Sequence, residues 1–196
     1  MNEPEVFVLA DRTLLSVVEQ IQDDQWDLPI PDWFARGSTQ QDVVLRDIIN
    51  YHAYDDAWVP DMLAGKTMAE AGPTTFDGDL LGADPKGNYA AIVEKAVEAV
   101  SRFTDLDRTV HCSFGDFTAC AYFWQINLFR GLRARDIARL IGVNDRLPDA
   151  LVQGIWDEIA PHAEEWRQIG VFGPQVMVPD DASLQDKLLA LTGRQP

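Results

Sequence analysis

Five side chains in this sequence have the types and spacing to do chemistry inside a folded core. His52, Asp55 and Asp56 fall within one short stretch, and Arg130 and Arg133 stand one helical turn apart. At about 100° per residue, Tyr122, Phe123, Ile126, Phe129, Ile137, Leu140 and Ile141 share one helical face, with Arg133 near its centre and Arg130 near its edge. Leu45, Ile48, Ile49, Val59, Met62 and Leu63 share another, with His52 near its centre and Asp55 and Asp56 flanking it. Arginine and aspartate are rarely fully buried unless paired. An isolated buried charge costs on the order of several kcal/mol even after relaxation. If both faces point inward, these groups must therefore meet. The expectation is a polar cluster of His52, Asp55 and Asp56 opposite Arg130 and Arg133, with Tyr51 at its rim.

In such a pocket the two guanidinium groups would grip an anionic substrate group, since their planar forks match carboxylate geometry. His52 would act as acid or base, its tautomer set by Asp55 or Asp56. The same residues also have a reading without chemistry. Arginine stems can lie on apolar surface with their heads in water, arginines suit the C-terminal half of a helix, and a buried ion pair can simply fix helix register.

Other candidates are weaker. Cys112 and Cys120 have neither zinc-ligand nor disulfide-framework spacing and read as small buried hydrophobes. His111 beside Cys112 would be a thiol–imidazole pair only if sequence neighbours faced each other. His162, near Glu164 and Glu165, reads as solvated. Phe76–Asp79 (FDGD) has the opening of a calcium loop without the remaining ligand spacing.

The elements that must position these groups are helical. A first helix is predicted over Glu5–Ile21, followed by breaks at Pro29, Pro31 and Gly37. A second runs over Gln41–Leu63, with Pro60 kinking its last turn and Gly65 ending it. A long loop covers Lys66–Lys86. The third helix starts with Asp84 as cap and Pro85 at its first position. Thr109–Asp116 is a turn or brief extended piece. The fourth and longest helix spans Phe117–Ile141, and a fifth Pro148–Trp166. GVFGPQVMVP is extended, and a last helix begins at Ser183 with Asp186 at the third position, closing at Gly193. A second apolar stripe on the fourth helix, Phe117, Trp124, Leu128 and Leu132, makes that helix either central or part of a homodimer interface.

The pattern is all-α, a single domain over residues 1–196, with four or five long helices and almost no sheet. Hydrophobic residues make up 46% and charged residues 24% of the 196, ordinary globular values. The formal net charge of −16 argues against nucleic acid and anionic membrane as partners, since both need clustered Lys and Arg. No apolar run approaches the ~20 residues of a membrane span. The opening MNEPEVFVLADR lacks a basic region typical of signal peptides, so a cytoplasmic location is expected.

Three segments carry a resemblance to a known family: LRDIINYHAYDDAWVPDMLAG, FRGLRARDIARLIG and the tail GVFGPQVMVPDDASLQDKLLALTGRQP. Over nearly its whole length the chain resembles the DinB-like superfamily, in particular the metal-binding domain of mycothiol-dependent maleylpyruvate isomerase. The tail, the most specific of the three, looks like the ending of a subgroup of small, mostly uncharacterised bacterial proteins. The resemblance implies an up-down four-helix bundle, here with an additional C-terminal helix and extended tail. It also implies a divalent metal held by a histidine on the second helix and by a Glu/His or His/His pair spaced by four on the fourth, with mycothiol as thiol cofactor in isomerisation or transfer. This sequence departs from that pattern. Tyr51 stands where the family histidine is expected, with His52 one residue later. The spaced pair corresponds to Phe129 and Arg133, or to Arg130 and Ala134 after a slip of one. Arginine offers a cation no lone pair, so the family's metal site is not carried over and no cofactor is expected. The reading that follows is a small-molecule pocket protein with a metal-free site, against a non-catalytic relative and a metal-dependent, thiol-using isomerase or transferase.

Overall fold

The computed structural model describes residues 1–34, 42–113 and 115–196. The expected break at Gly37 and the expected helix start at Gln41 lie outside the described residues. Each long helix forms where an apolar stripe recurs at helical spacing and a local signal starts or stops it. Helix α1 (Glu3–Val18) opens with a reciprocal cap: the Glu5 amide donates to Asn2 Oδ1 and the Asn2 amide to Glu5 Oε2, each at 3.0 Å. It buries Val6, Phe7, Ala10, Leu14, Val17 and Val18. Helix α2 (Leu45–Leu63) runs through Pro60. The loop after it contains a single short turn of helix, α3 (Met68–Ala71). Helix α4 (Pro85–Ser101) begins as expected, with the Gly87 amide donating to Asp84 Oδ1 at 3.1 Å.

The predicted extended piece is a two-stranded hairpin. Strand β1 (Thr109–Cys112) pairs antiparallel with β2 (Gly115–Thr118), His111 opposite Asp116. Helix α5 (Ala119–Ile141) follows directly and stops at Gly142, whose left-handed φ of 76° suits glycine. The fifth helix is not continuous. Helix α6 (Asp149–Ile159) passes through a tight turn at Ala160–His162 into the short α7 (Ala163–Gln168). Pro161 lies in that turn and cannot donate to the ladder. The GVFGPQVMVP segment forms no strand. Helix α8 (Leu184–Leu191) is capped by Ser183, which accepts from the Asp186 amide at 3.1 Å.

The fold is all-α apart from the hairpin. Helix α1 packs against α5 and α4, and α4 against α2, whereas α2 and α5 barely touch. Helix α5 is central. Leu128 and Leu132 of its second stripe are 1% exposed, and α6 crosses it closely enough that Gly131 faces Ile155 with no room for a side chain. The stripe is thus used inside the chain. The C-terminal tail is pinned beneath: Arg194 donates to Asp136 Oδ2 at 3.1 Å, and Arg167 to the Leu191 carbonyl at 2.9 Å. No helix among the described residues is long and apolar enough to cross a membrane.

Candidate functional site

The polar positions of α2 and α5 separate into two groups. At the centre, Arg130 is enclosed by carboxylates from two other helices. Its Nε donates to Asp56 Oδ1 at 2.9 Å, its Nη2 also reaches Asp56 Oδ1, and its Nε lies 2.5 Å from Asp11 Oδ1. All three side chains are essentially inaccessible, at 1% or less. The guanidinium carbon stands 4.7 Å over the Phe7 ring, a cation–π contact that closes another side. Tyr89 of α4 lies close enough to Asp56 to favour its ionised form, without completing a hydrogen bond from its buried hydroxyl. Four helices thus converge on one guanidinium.

Burial raises both carboxyls of this triad: Asp11 is held well above the usual carboxylate range, and Asp56 is also raised, with Arg130 opposing the shift in each. Burial works against the Arg130 cation, but Asp11 and Asp56 outweigh it and push its pKa up. The two carboxyls are not equivalent. Asp56 Oδ1 accepts from Arg130, while neither Asp11 oxygen has a hydrogen-bond partner. A proton on Asp11 would neutralise the triad and supply a donor among orphaned acceptors, and Asp11 is the carboxyl whose neutral form is favoured.

The second group lies between α2 and α5, two helices that barely touch. Arg133, half-buried, has no carboxylate within ion-pair distance among the described residues, and its guanidinium stacks 4.5 Å over the Phe34 ring. Burial lowers its pKa; Asp136 opposes this and Arg194 adds to it. His52 is 5% exposed and its Nδ1 has no hydrogen-bond partner. Burial, then Arg133 and Arg130, hold it well below the usual histidine range, so it is neutral. Tyr51 is 63% exposed, and its pKa is raised chiefly by Asp55. Asp55 is half-buried, raised to about 6 by burial against the pull of Arg130. It lines a crevice of about 30 Å³ with Trp58, Tyr122 and Cys112.

The expected cluster is thereby corrected in three respects. Arg130 and Asp56 meet, but around Asp11, and the closed triad leaves Arg130 no face for a substrate and Asp56 no access to one. Arg133 does not join the carboxylates. His52 has no carboxylate on its Nδ1, so neither Asp55 nor Asp56 sets its tautomer there. Sequence reasoning missed Asp11 and Tyr89, although the signal was present. Asp11 sits between Phe7 and Leu14 on the core face of α1, and Tyr89 precedes Val93 and Ala96 on that of α4. The helical-face argument applied to α2 and α5 finds both.

The remaining candidates have local partners. His111 Nδ1 is 2.8 Å from Asp116 Oδ1 across the hairpin, not on Cys112. His162 stacks on Trp124 at 5.1 Å. Asp79 of the FDGD segment holds Arg46 and the Leu81 and Gly82 amides. Burial pushes the Cys112 thiol up to about 12 and the Cys120 thiol up to about 11, so neither supplies a thiolate nucleophile near neutral pH. A further polar cluster sits on α5 one turn before Arg130, at Asn127. Asn127 Nδ2 donates to Glu158 Oε1 at 2.9 Å and to the Glu3 carbonyl at 3.0 Å. Glu158 Oε2 and Asn127 Oδ1 are buried without partners, and burial raises Glu158 to about 8, with Glu3 and Asp157 contributing.

No family model, curated protein or solved structure matches this chain. The metal that the resemblance implies must therefore be judged on the donor set. Among the described residues no group of three or more His, Cys, Asp or Glu is arranged to hold a metal ion. At the implied positions Tyr51 and Phe129 face solvent, Arg130 is committed to two carboxylates and Arg133 is cationic. These residues do not fit a divalent cation.

Proposed function

We propose that this protein is a DinB-like up-down bundle that has exchanged metal chemistry for binding a small carboxylate-bearing molecule in the seam between α2 and α5. Arg133 anchors the carboxylate, the exposed Tyr51 hydroxyl flanks it, and Phe34 walls the guanidinium from behind. The observation that carries this reading is Arg133 itself. A half-buried guanidinium with an aromatic ring on one side and no carboxylate partner among the described residues retains its capacity for a bidentate anion. The closed Asp11–Arg130–Asp56 triad favours a supporting role for the remaining charges: it joins helices α1, α2 and α5 and is inaccessible from solvent. The protein is then a binding module rather than a catalyst, because His52 is enclosed and the triad is sequestered. Asp55 is the carboxyl in this region able to exchange a proton near neutral pH.

Titration with small aliphatic and aromatic monocarboxylates at constant ionic strength, followed by amide NMR shifts around Tyr51 and Arg133, tests the proposal. Saturable shifts there that disappear in Arg133→Met support it. Shifts that survive that substitution, or an absence of saturable shifts in the native protein, overturn it.

A further inference from the structure

We infer that a second site, the cleft between α1, the end of α5 and the α5–α6 connection, binds a small polyanion through Arg12, Arg135 and Arg146. The cleft has a volume of about 370 Å³, at the lower end of the range typical for small-molecule sites and more than ten times the crevice beside Asp55. Its size suits a compact metabolite with two or three charged groups. In a chain of net charge −16, three arginines converge here, and Asp145 is the one acidic residue among the described residues of the lining.

The three arginines are mounted differently. Arg135 forms the floor, its side chain 4% exposed; it donates to the Gln195 carbonyl at 3.2 Å, lies 3.5 Å from Asp136 Oδ1 behind it and 3.4 Å from Asp145 Oδ2, and leaves Nε without a hydrogen bond. Arg12 and Arg146 stand at the rim, 42% and 73% exposed. Their present partners, Glu94 and Asp149, are themselves 55% and 85% exposed. The single-contact pair of Arg146 with Asp149 contributes little; Arg12 holds Glu94 through both Nη atoms, and a ligand must displace that carboxylate to engage it. A polyanion seated on the floor guanidinium offers both rim arginines acceptors that a single surface carboxylate does not. All three cations are arginine, whose fork fits phosphate and carboxylate oxygens alike. Helix α6 begins at the wall: Pro148, its N-cap, lines the cleft, and the carboxylate of Asp149 in the first turn offsets the positive end of the helix.

The experiment titrates the whole protein with inorganic phosphate, pyrophosphate and citrate at constant ionic strength, reading amide shifts at Thr13, Ser16, Gln20 and Asn144. Saturable shifts confined to these residues are expected. Affinity should fall roughly tenfold or more in Arg12→Gln/Arg146→Gln and stay unchanged in Arg133→Met, which separates this site from the seam. Both rim positions are exposed, and the spectrum of the double variant checks that the fold is intact. Preference for pyrophosphate assigns the site to phosphate esters, and preference for citrate to polycarboxylates. Shifts that do not saturate, that centre on Arg133, or that the double variant leaves unaltered overturn the inference.

Discussion

Arg130 and Arg133 are one helical turn apart on α5, yet they occupy opposite electrostatic situations. Arg130 is enclosed by Asp11, Asp56 and the Phe7 ring, and burial raises the pKa of its partners. Arg133 has an aromatic ring against it, a neutral histidine nearby and no carboxylate within ion-pair distance among the described residues. The difference follows from where the neighbouring helices lie. Helix α1 packs along α5 at the level of Arg130 and delivers Asp11, whereas α2 leans on α4 and barely touches α5. One region is buried and ion-paired on two sides, and in the other Arg133 is half-buried with no carboxylate within ion-pair distance among the described residues, Asp136 acting on it from farther off. Buried ionic groups tie helices together; a half-buried ion without a partner has capacity to bind.

The largest effect should come from opening the triad. Asp56→Ala leaves Arg130 with only the poorly hydrogen-bonded Asp11, and a loss of about 3–5 kcal/mol is expected in chemical denaturation. Replacing the whole set, Asp11→Leu, Arg130→Met and Asp56→Leu, should be neutral or stabilising by about 1–4 kcal/mol, because the desolvation cost disappears with the charges. If Asp56→Ala costs less than ~1 kcal/mol, the triad is wetter than its burial indicates and the contrast with Arg133 fails.

The next test concerns a largely buried carboxyl with no arginine beside it among the described residues and only the chain's N-terminal ammonium acting weakly on it. Glu158 has a folded pKa of about 8 and no arginine partner among the described residues. Because the folded value lies above the unfolded one, its favourable contribution is complete below the unfolded pKa and is lost as pH rises toward 8. A tenfold change in proton affinity between the folded and unfolded chain corresponds to ~1.4 kcal/mol. Glu158→Gln, which mimics the protonated form against Asn127, should therefore remove a stability decline between roughly pH 4.5 and 8 and melt higher than the native protein at the alkaline end. Identical pH profiles for the two proteins would mean that Glu158 is solvated and ionises normally.

These predictions depend on residues that the sequence reveals unevenly. The all-α class, the Asp84–Pro85 start, the Gly142 stop and the Ser183 cap were legible because each rests on local backbone chemistry. That Arg130 needed carboxylate partners was legible from burial cost alone. Which carboxylates it took was not, because that depends on helix order around α5: α1 is the neighbour that delivers Asp11, and no periodicity within α5 encodes it. Arg133 illustrates the converse. It sits nearer the centre of the apolar face than Arg130 does, yet it is the less buried, because α1 packs along α5 and α2 barely touches it. The Glu158–Asn127 pair escaped notice for the same reason, its two members lying on helices whose crossing is set by Gly131 against Ile155.

The smallest expected effect is also the most local. His52 lies between the two regions and is depressed by burial first, then by Arg133 and by Arg130. Its folded pKa is below the unfolded value, so the stability it contributes is present above about pH 6.5 and is lost as pH falls through that value toward the folded pKa. Arg133→Met removes one repelling cation and leaves the burial intact. The His52 ring should then titrate at a higher pH than in the native protein while remaining below its ordinary value, and stability at neutral pH should change by less than about 1 kcal/mol. The chain has three histidines, so the ring resonances can be followed individually by NMR. Coupling between Arg133→Met and Asp56→Ala should stay within about 0.5 kcal/mol, far below that between Asp56 and Arg130. A large coupling, or an unmoved His52 titration, would show that Arg133 belongs to the triad's electrostatic unit, and the separation of the two arginines into a structural and a binding role would not stand.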